Sequence, residues 1–419
     1  MLTSLSWVPK GGMKPIPIRT GDDIDTVRAK LRRRNPELGV EEDETIPHEG
    51  TNLADSGDAS SDDAGDTGGM CFGGGADTIL EQVESDDEDE INDTNFKETD
   101  LVFATALADA AQPRLELYVY DEPENNIYVH HDMEVAAFPL STAWLTDGTM
   151  SICAVGTMRP FVELWNLDVM DAVEPACLLG GCVKWEDNYR KRVKSSLLQE
   201  GSHKDSVICV RWNTCAQHIL ASGSADTTIK MWDLNTSSCI GTYTEPEKVQ
   251  SLDWHRSEAN LLLSGGFDAT MVLRDCRSPS SAALRFATGS TVEHVEFDPH
   301  SGGRVLYAST STGNWAAFEA RMNAEALWQM QVHEADTTFS ASPHVPGLLA
   351  AGGKDNMISL WDARDTTCPP KEIVKRSYRT GAVMSLSFHP NSPHVLGACG
   401  SKGEPLVYII TDDVQRVFC

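Results

Sequence analysis

No stretch of this sequence stays apolar long enough to cross a bilayer: the longest runs, such as Leu406 to Ile410, fall far short of the ~20 residues a spanning helix needs. A transmembrane segment is therefore not expected. The first residues, MLTSLSWVPKGG, lack the basic start, longer apolar core and small-residue cleavage site of a secretory signal, so the chain is expected to stay inside the cell. The 11 cysteines contain no C-x-x-C pair. Cys153, Cys209, Cys276 and Cys399 lie in apolar, strand-like runs where a thiol behaves as a small buried hydrophobe, which points to a reducing compartment and to no zinc site.

Positive charge is scarce overall, with a formal net charge of -29, but the deficit is local. Residues 37 to 100 hold 22 Asp and Glu against the single Lys97, whereas residues 1 to 36 carry eight Lys and Arg against three Asp. A split of this kind marks a tail or insert with partners of its own.

What is present is a repeat. Strand-like segments ending in Trp-Asp or a remnant of it recur as LELYVYD, VELWNLD, TIKMWDL, MVLRDCR, WAAFEAR, ISLWDAR and LVYIITD. Their Trp-equivalent positions, Tyr120, Trp165, Trp232, Arg274, Phe318, Trp361 and Ile409, are spaced 45, 67, 42, 44, 43 and 48 residues apart. Apart from one gap this matches the ~40 to 45 residue period of a WD repeat, whose unit is a four-stranded propeller blade. Each unit also divides into four short strands punctuated by turn residues. The fold class that follows is all-β, a seven-bladed WD-repeat β-propeller.

TSLSWVP (3 to 9) resembles the inner strand MSLSFHP (384 to 390), so blade one is expected to be split, with a long disordered acidic insert inside it. The expected organisation is a propeller over residues 1–9 and 97–419, a basic segment over 10–39 with a short helix from Asp22 to Leu38, the acidic Ser/Gly-rich insert over 40–96, and a basic insertion over 182–202. Asp413 to Cys419 reads as the short outer strand of blade seven, with no exchange of strands between the termini to close the ring.

His203, Ser222, Asp226 and Trp232 invite a hydrolase reading, but they resemble the structural tetrad of a WD repeat, a hydrogen-bonded chain that satisfies buried polar groups. A triad would need an exposed nucleophile and an oxyanion hole. Blade six keeps His333, Asp355 and Trp361; blade four has Asp268 but Arg274 in the Trp position. The Gly-rich run from Gly68 to Gly75 lacks the Lys-Ser/Thr of a phosphate loop. His130 and His131 are adjacent on a strand and are expected to point to opposite faces, against a metal site. No catalytic residue, metal or cofactor is assigned.

Three segments carry candidate functional residues. Ser60, Ser61 and Ser85 precede acidic runs and resemble acidic-directed phosphorylation sites, in an insert that reads either as a solvated spacer or as a docking strip for basic proteins. Lys184, Arg190, Lys191, Arg192 and Lys194, interleaved with Trp185 and Tyr189, suit RNA contact, a nuclear import signal, or a solvated loop. Asp275-Cys276-Arg277 and Asp362-Ala363-Arg364 resemble the W-D-x-R feature of cullin-RING ligase substrate receptors, where Arg277 and Arg364 would meet an adaptor, although an Asp and Arg capping a turn accounts for the same pattern.

Beyond the repeat, LELYVYDEPENNIYVHHDMEVAAFPLSTAWL and AVGTMRPFVELWNLDVMDAVEPACLLG, between Leu115 and Leu179, resemble the periodic tryptophan protein 1 family of WD-repeat ribosome biogenesis factors. The resemblance implies a non-catalytic scaffold of the nucleus and nucleolus, engaged in large ribosomal subunit assembly and ribosomal RNA processing. Its partners would be pre-ribosomal assembly proteins, ribosomal RNA, and basic proteins at the acidic insert, with no membrane and no small-molecule substrate. The other expectations are a ubiquitin-ligase substrate receptor and a histone-binding regulator of ribosomal-gene transcription.

Overall fold

Strand pairs that are apolar on both faces dominate the middle of each repeat, as in Ile219–Ser224 and Thr228–Asp233, whose residues are almost all buried. Such strands are stable only when sheets stack on both sides of them. The computed structural model describes residues 1–19, 95–146, 148–170, 172–181, 198–277, 283–321 and 325–418. It shows seven consecutive antiparallel sheets, six of four strands and one of three, arranged as the blades of a propeller. The inner strands are Leu2–Trp7, Pro139–Thr146, Val207–Trp212, Val249–Trp254, Val292–Phe297, Thr337–Ala341 and Val383–Phe388.

Blade one is split. Leu2–Trp7 pairs with Leu101–Leu107, followed by Arg114–Asp121 and Asn126–Glu134, so residues 20–94 enter between its first and second strands. The expected disorder of the acidic insert and the helix over Asp22–Leu38 lie outside the described residues. Leaving blade one, the chain turns toward blade two: Lys14 N donates to Asp168 Oδ1 at 3.0 Å, and Ile18–Arg19 pairs in parallel with Val169–Met170.

Side chains of one inner strand clamp the backbone of the next. Thr142 N donates to Ser4 Oγ (3.0 Å), Val210 N to Ser141 Oγ (3.3 Å), Val295 N to Ser251 Oγ (3.2 Å), and Phe297 N to Asp253 Oδ2 (2.9 Å). Ala341 N donates to Glu296 Oε2 (2.9 Å) and Phe388 N to Ser340 Oγ (3.4 Å). Between blades three and four Trp254 Nε1 instead donates to the Arg211 carbonyl at 3.2 Å, and the junction of blades seven and one closes the circle, with Leu5 N donating to Ser385 Oγ at 3.3 Å. These clamps satisfy backbone donors that no strand partner reaches.

Among the described residues, the ring closes without a shared strand. Leu2, Leu5, Trp7, Leu101 and Phe103 of blade one pack on Val395 and Cys399 of blade seven. Close approach depends on Gly397, where a Cβ would stand 2.7 Å from the Trp7 indole; Gly223 has the same relation, at 2.6 Å, to Val249 of the next blade.

One expectation fails here. Thr411–Phe418 is not an outer strand but an α-helix, α1, which leaves blade seven with three strands, the last being Leu406–Ile409. Ile410 and Val414 are buried with Phe418 packed beside them, an i, i+4, i+8 stripe that runs along one face of the helix. Asp412 also occupies the first helical turn, where its charge favours the helix N-terminus. Among the described residues, no helix is long and apolar enough to cross a membrane.

Candidate functional site

Because antiparallel strands alternate in direction, the links between blades and the turns joining second to third strands share one end of the propeller. The blade-three tetrad is assembled there. His203 precedes the inner strand, Asp226 sits in the turn after Ile219–Ser224, and Trp232 lies on the third strand. Trp232 Nε1 donates to Ser222 Oγ at 2.8 Å, Ser222 Oγ lies 2.7 Å from His203 Nε2, and His203 Nδ1 lies 3.1 Å from Asp226 Oδ2. A proton on Nδ1 and the serine hydroxyl directed at Nε2 satisfy every donor in the chain.

Burial lowers the His203 pKa, outweighing the pull of Asp226. Burial alone would raise that of Asp226, but hydrogen bonds from His203, Thr228 and the Lys204 amide hold its carboxylate well below the usual range. Ser222 and His203 have no exposed surface. A serine sealed in this way meets no substrate, so the set is built to join strands and loops.

Blade six contains a second complete tetrad, which was not legible as such in the sequence. Its second strand has alanines where a serine would stand, and Ser359 on the third strand supplies the hydroxyl. Trp361 Nε1 donates to Ser359 Oγ at 2.8 Å, Ser359 Oγ lies 3.4 Å from His333 Nε2, and His333 Nδ1 lies 2.9 Å from Asp355 Oδ2. The signal was the two-residue spacing from Trp361, which puts both side chains on one strand face.

Blade two uses Glu163 at that same spacing, with Trp165 Nε1 donating to Glu163 Oε2 at 2.9 Å. Burial pushes the Glu163 carboxyl up to about 7, against the opposing pull of the Trp165 indole and of the nearby Ala136 backbone. In blade four, Arg274 replaces the indole with a buried ion pair to Glu245, and Arg285 reaches the other Glu245 oxygen at 2.8 Å.

His130 and His131 do not point to opposite faces. A β-bulge beside Leu117 and Tyr118 leaves His130 out of register, and the two Nδ1 atoms stand 2.8 Å apart. The extra residue of a bulge resets the alternation of sides. His130 stacks on Phe96 with centroids 4.3 Å apart, while burial pulls His131 down to about 4. Among the described residues, no group of three or more His, Cys, Asp and Glu is placed to hold a metal.

Arg277 and Arg364 sit at matching corners of blades four and six, each folded back on its own aspartate: Asp275 at 2.5 Å and Asp362 at 2.6 Å. Arg364 also lies over the Phe418 ring, 4.6 Å from its centroid, and donates to the Val417 carbonyl at 3.3 Å, so α1 occupies it. Burial raises the Cys153, Cys209 and Cys399 thiols to about 12 and that of half-buried Cys276 to about 11. Ser60, Ser61, Ser85, Lys184, Arg190, Lys191, Arg192 and Lys194 lie outside the described residues.

Residues 195–233, spanning most of blade three, match the family model of the WD domain, G-beta repeat. An uncharacterized WD repeat-containing protein of Schizosaccharomyces pombe is 35% identical over 73% of this chain and 60% of its own length. The periodic tryptophan protein 1 homolog of Drosophila melanogaster is 28% identical over 77% of this chain and 70% of its own. Periodic tryptophan protein 1 of Saccharomyces cerevisiae is 29% identical over 68% and 53%, so the chain spans little more than half of that relative. In fold, the chain is similar to one in the crystal structure of the mitotic checkpoint complex, with a TM-score of 0.56 at 19% identity, covering 76% of this chain and 84% of that one. The chain is thus a seven-bladed WD-repeat propeller and a homologue of the proteins named periodic tryptophan protein 1.

Proposed function

We propose that this chain is a non-catalytic scaffold of large ribosomal subunit assembly, acting in the nucleolus and supporting ribosomal RNA processing. The observation that carries the reading is homology to periodic tryptophan protein 1 across the propeller. The stretch of specific resemblance, Leu115 to Leu179, supports it further: it builds the third and fourth strands of blade one and all of blade two. The tetrads support the non-catalytic part of the reading, because the His, Ser and Asp that look chemical are spent on holding strands and loops together.

In this reading Lys184, Arg190, Lys191, Arg192 and Lys194 contact RNA phosphates, and the acidic segment containing Ser60, Ser61 and Ser85 receives basic assembly proteins, with phosphorylation raising its charge. Purification of the tagged full chain from growing cells tests the proposal. Large-subunit precursor RNA and its assembly proteins are expected to co-purify, and their absence overturns it.

A further inference from the structure

A groove enclosing 1470 Å³ runs between blades one and two at the end of the propeller that carries the tetrads, with Pro113, Phe138, Met158 and Val173 among its lining residues. Met158 and Val173 are 56% and 87% exposed, large apolar side chains left in water on the walls of one concave surface. Isolated exposed apolar residues are ordinary on a protein surface, but two of them lining a single groove mark a surface built for contact.

The polar feature of this groove is Glu163. Its side chain lines the cavity and is fully buried. Oε2 accepts the Trp165 indole N–H, while Oε1 has no hydrogen-bond partner among the described residues. Leaving such an atom unpaired is costly, and a donor entering the groove would remove that penalty. Asp132 and Glu134 add carboxylates to the lining, and Arg114 is already paired to Asp132 at 2.9 Å. Arg159 also lines the groove, but it does not bond Oε1.

We propose that this groove binds an extended segment of a partner protein, with an arginine directed at Glu163 Oε1 and a neighbouring apolar residue resting on Met158 and Val173. A guanidinium suits the site better than an ammonium, because it is weakly hydrated and keeps donors to spare when one N–H is turned to a buried oxygen. The carboxylates disfavour a nucleic acid backbone at the same surface. The inference goes beyond the assembly reading and does not rest on it, since a peptide seats here whatever particle it belongs to.

The test is selection of capped, randomised heptapeptides on the full-length wild-type chain, followed by affinity measurement by fluorescence anisotropy. One position is expected to enrich in arginine, with citrulline at that position binding about tenfold more weakly. Glu163→Gln, which keeps an acceptor for Trp165, is expected to erase the difference between arginine and citrulline while its melting curve stays cooperative. Val173→Ser, at an exposed position that the fold does not need, is expected to weaken the selected peptide about threefold. Three results overturn the proposal: no enriched arginine, equal arginine and citrulline affinities in the wild type, or displacement of the selected peptide by a single-stranded RNA oligomer.

Discussion

Trp7 donates its indole N–H to the Ser387 carbonyl at 2.9 Å, joining residues 380 positions apart across the seam between blades one and seven. The same ring meets Phe103 of its own blade at 5.0 Å and His389 of blade seven at 4.8 Å, both edge to face. The seam is thus held by packing and side-chain hydrogen bonds, where a shared strand would have held it by backbone pairing.

Trp7→Ala is therefore expected to cost about 3–5 kcal/mol, the range for deleting a large buried aromatic. Gly397→Val, which drives a side chain into the space of the Trp7 ring, is expected to cost at least about 1–3 kcal/mol. Denaturant midpoints measure both, and an unchanged midpoint in Trp7→Ala would show that the seam is not a determinant of stability.

The two tetrads predict equal and independent losses. Trp232→Phe and Trp361→Phe each remove one buried indole hydrogen bond, worth about 1 kcal/mol, and the double variant is expected to lose the sum because the pairs lie in separate blades. A loss confined to Trp232→Phe would mean that Ser359 does not complete the blade-six chain.

Glu163 predicts a pH dependence. Its carboxyl is raised in the folded chain to about 7 from an ordinary 4.5. The unfolded chain therefore releases this proton first as the pH rises, and folding carries a growing penalty between pH 4.5 and 7. The full penalty of about 3 kcal/mol applies above that range. Glu163→Gln cannot ionise, so it is expected to match the wild type near pH 4.5 and to melt higher at pH 8. A constant difference between the two across that range would contradict the burial of this carboxyl.

Helix α1 follows the last strand of blade seven and reaches back to blade six, where Arg364 lies over the Phe418 ring. Val414→Asp, which places a charge in the apolar cluster of Ile410, Leu386 and Phe388, is expected to detach α1 and uncover the apolar surface it packs on across blades six and seven. Protease cleavage near residue 410 and concentration-dependent light scattering should both rise. A variant as resistant and as monodisperse as the wild type would place the helix outside the structural core.

The repeat was legible because Trp-Asp remnants recur at blade spacing, and the blade-three tetrad because its four residues sit at their usual positions. What the sequence hid was tertiary in origin. Ser359 takes the role of a second-strand serine by proximity to Trp361, not by position in the repeat. The bulge at His130 depends on the facing strand, which a single strand's alternation cannot report. Ile410, Val414 and Phe418 did carry a helical period, but the preceding strands made another strand the simpler continuation. Glu163 resembles any strand glutamate until the folded chain buries it.

The scaffold reading is tested most directly by depleting the chain from cells and quantifying ribosomal RNA precursors. It predicts that large-subunit precursors accumulate while small-subunit RNA matures normally. Unchanged large-subunit processing after depletion would contradict it.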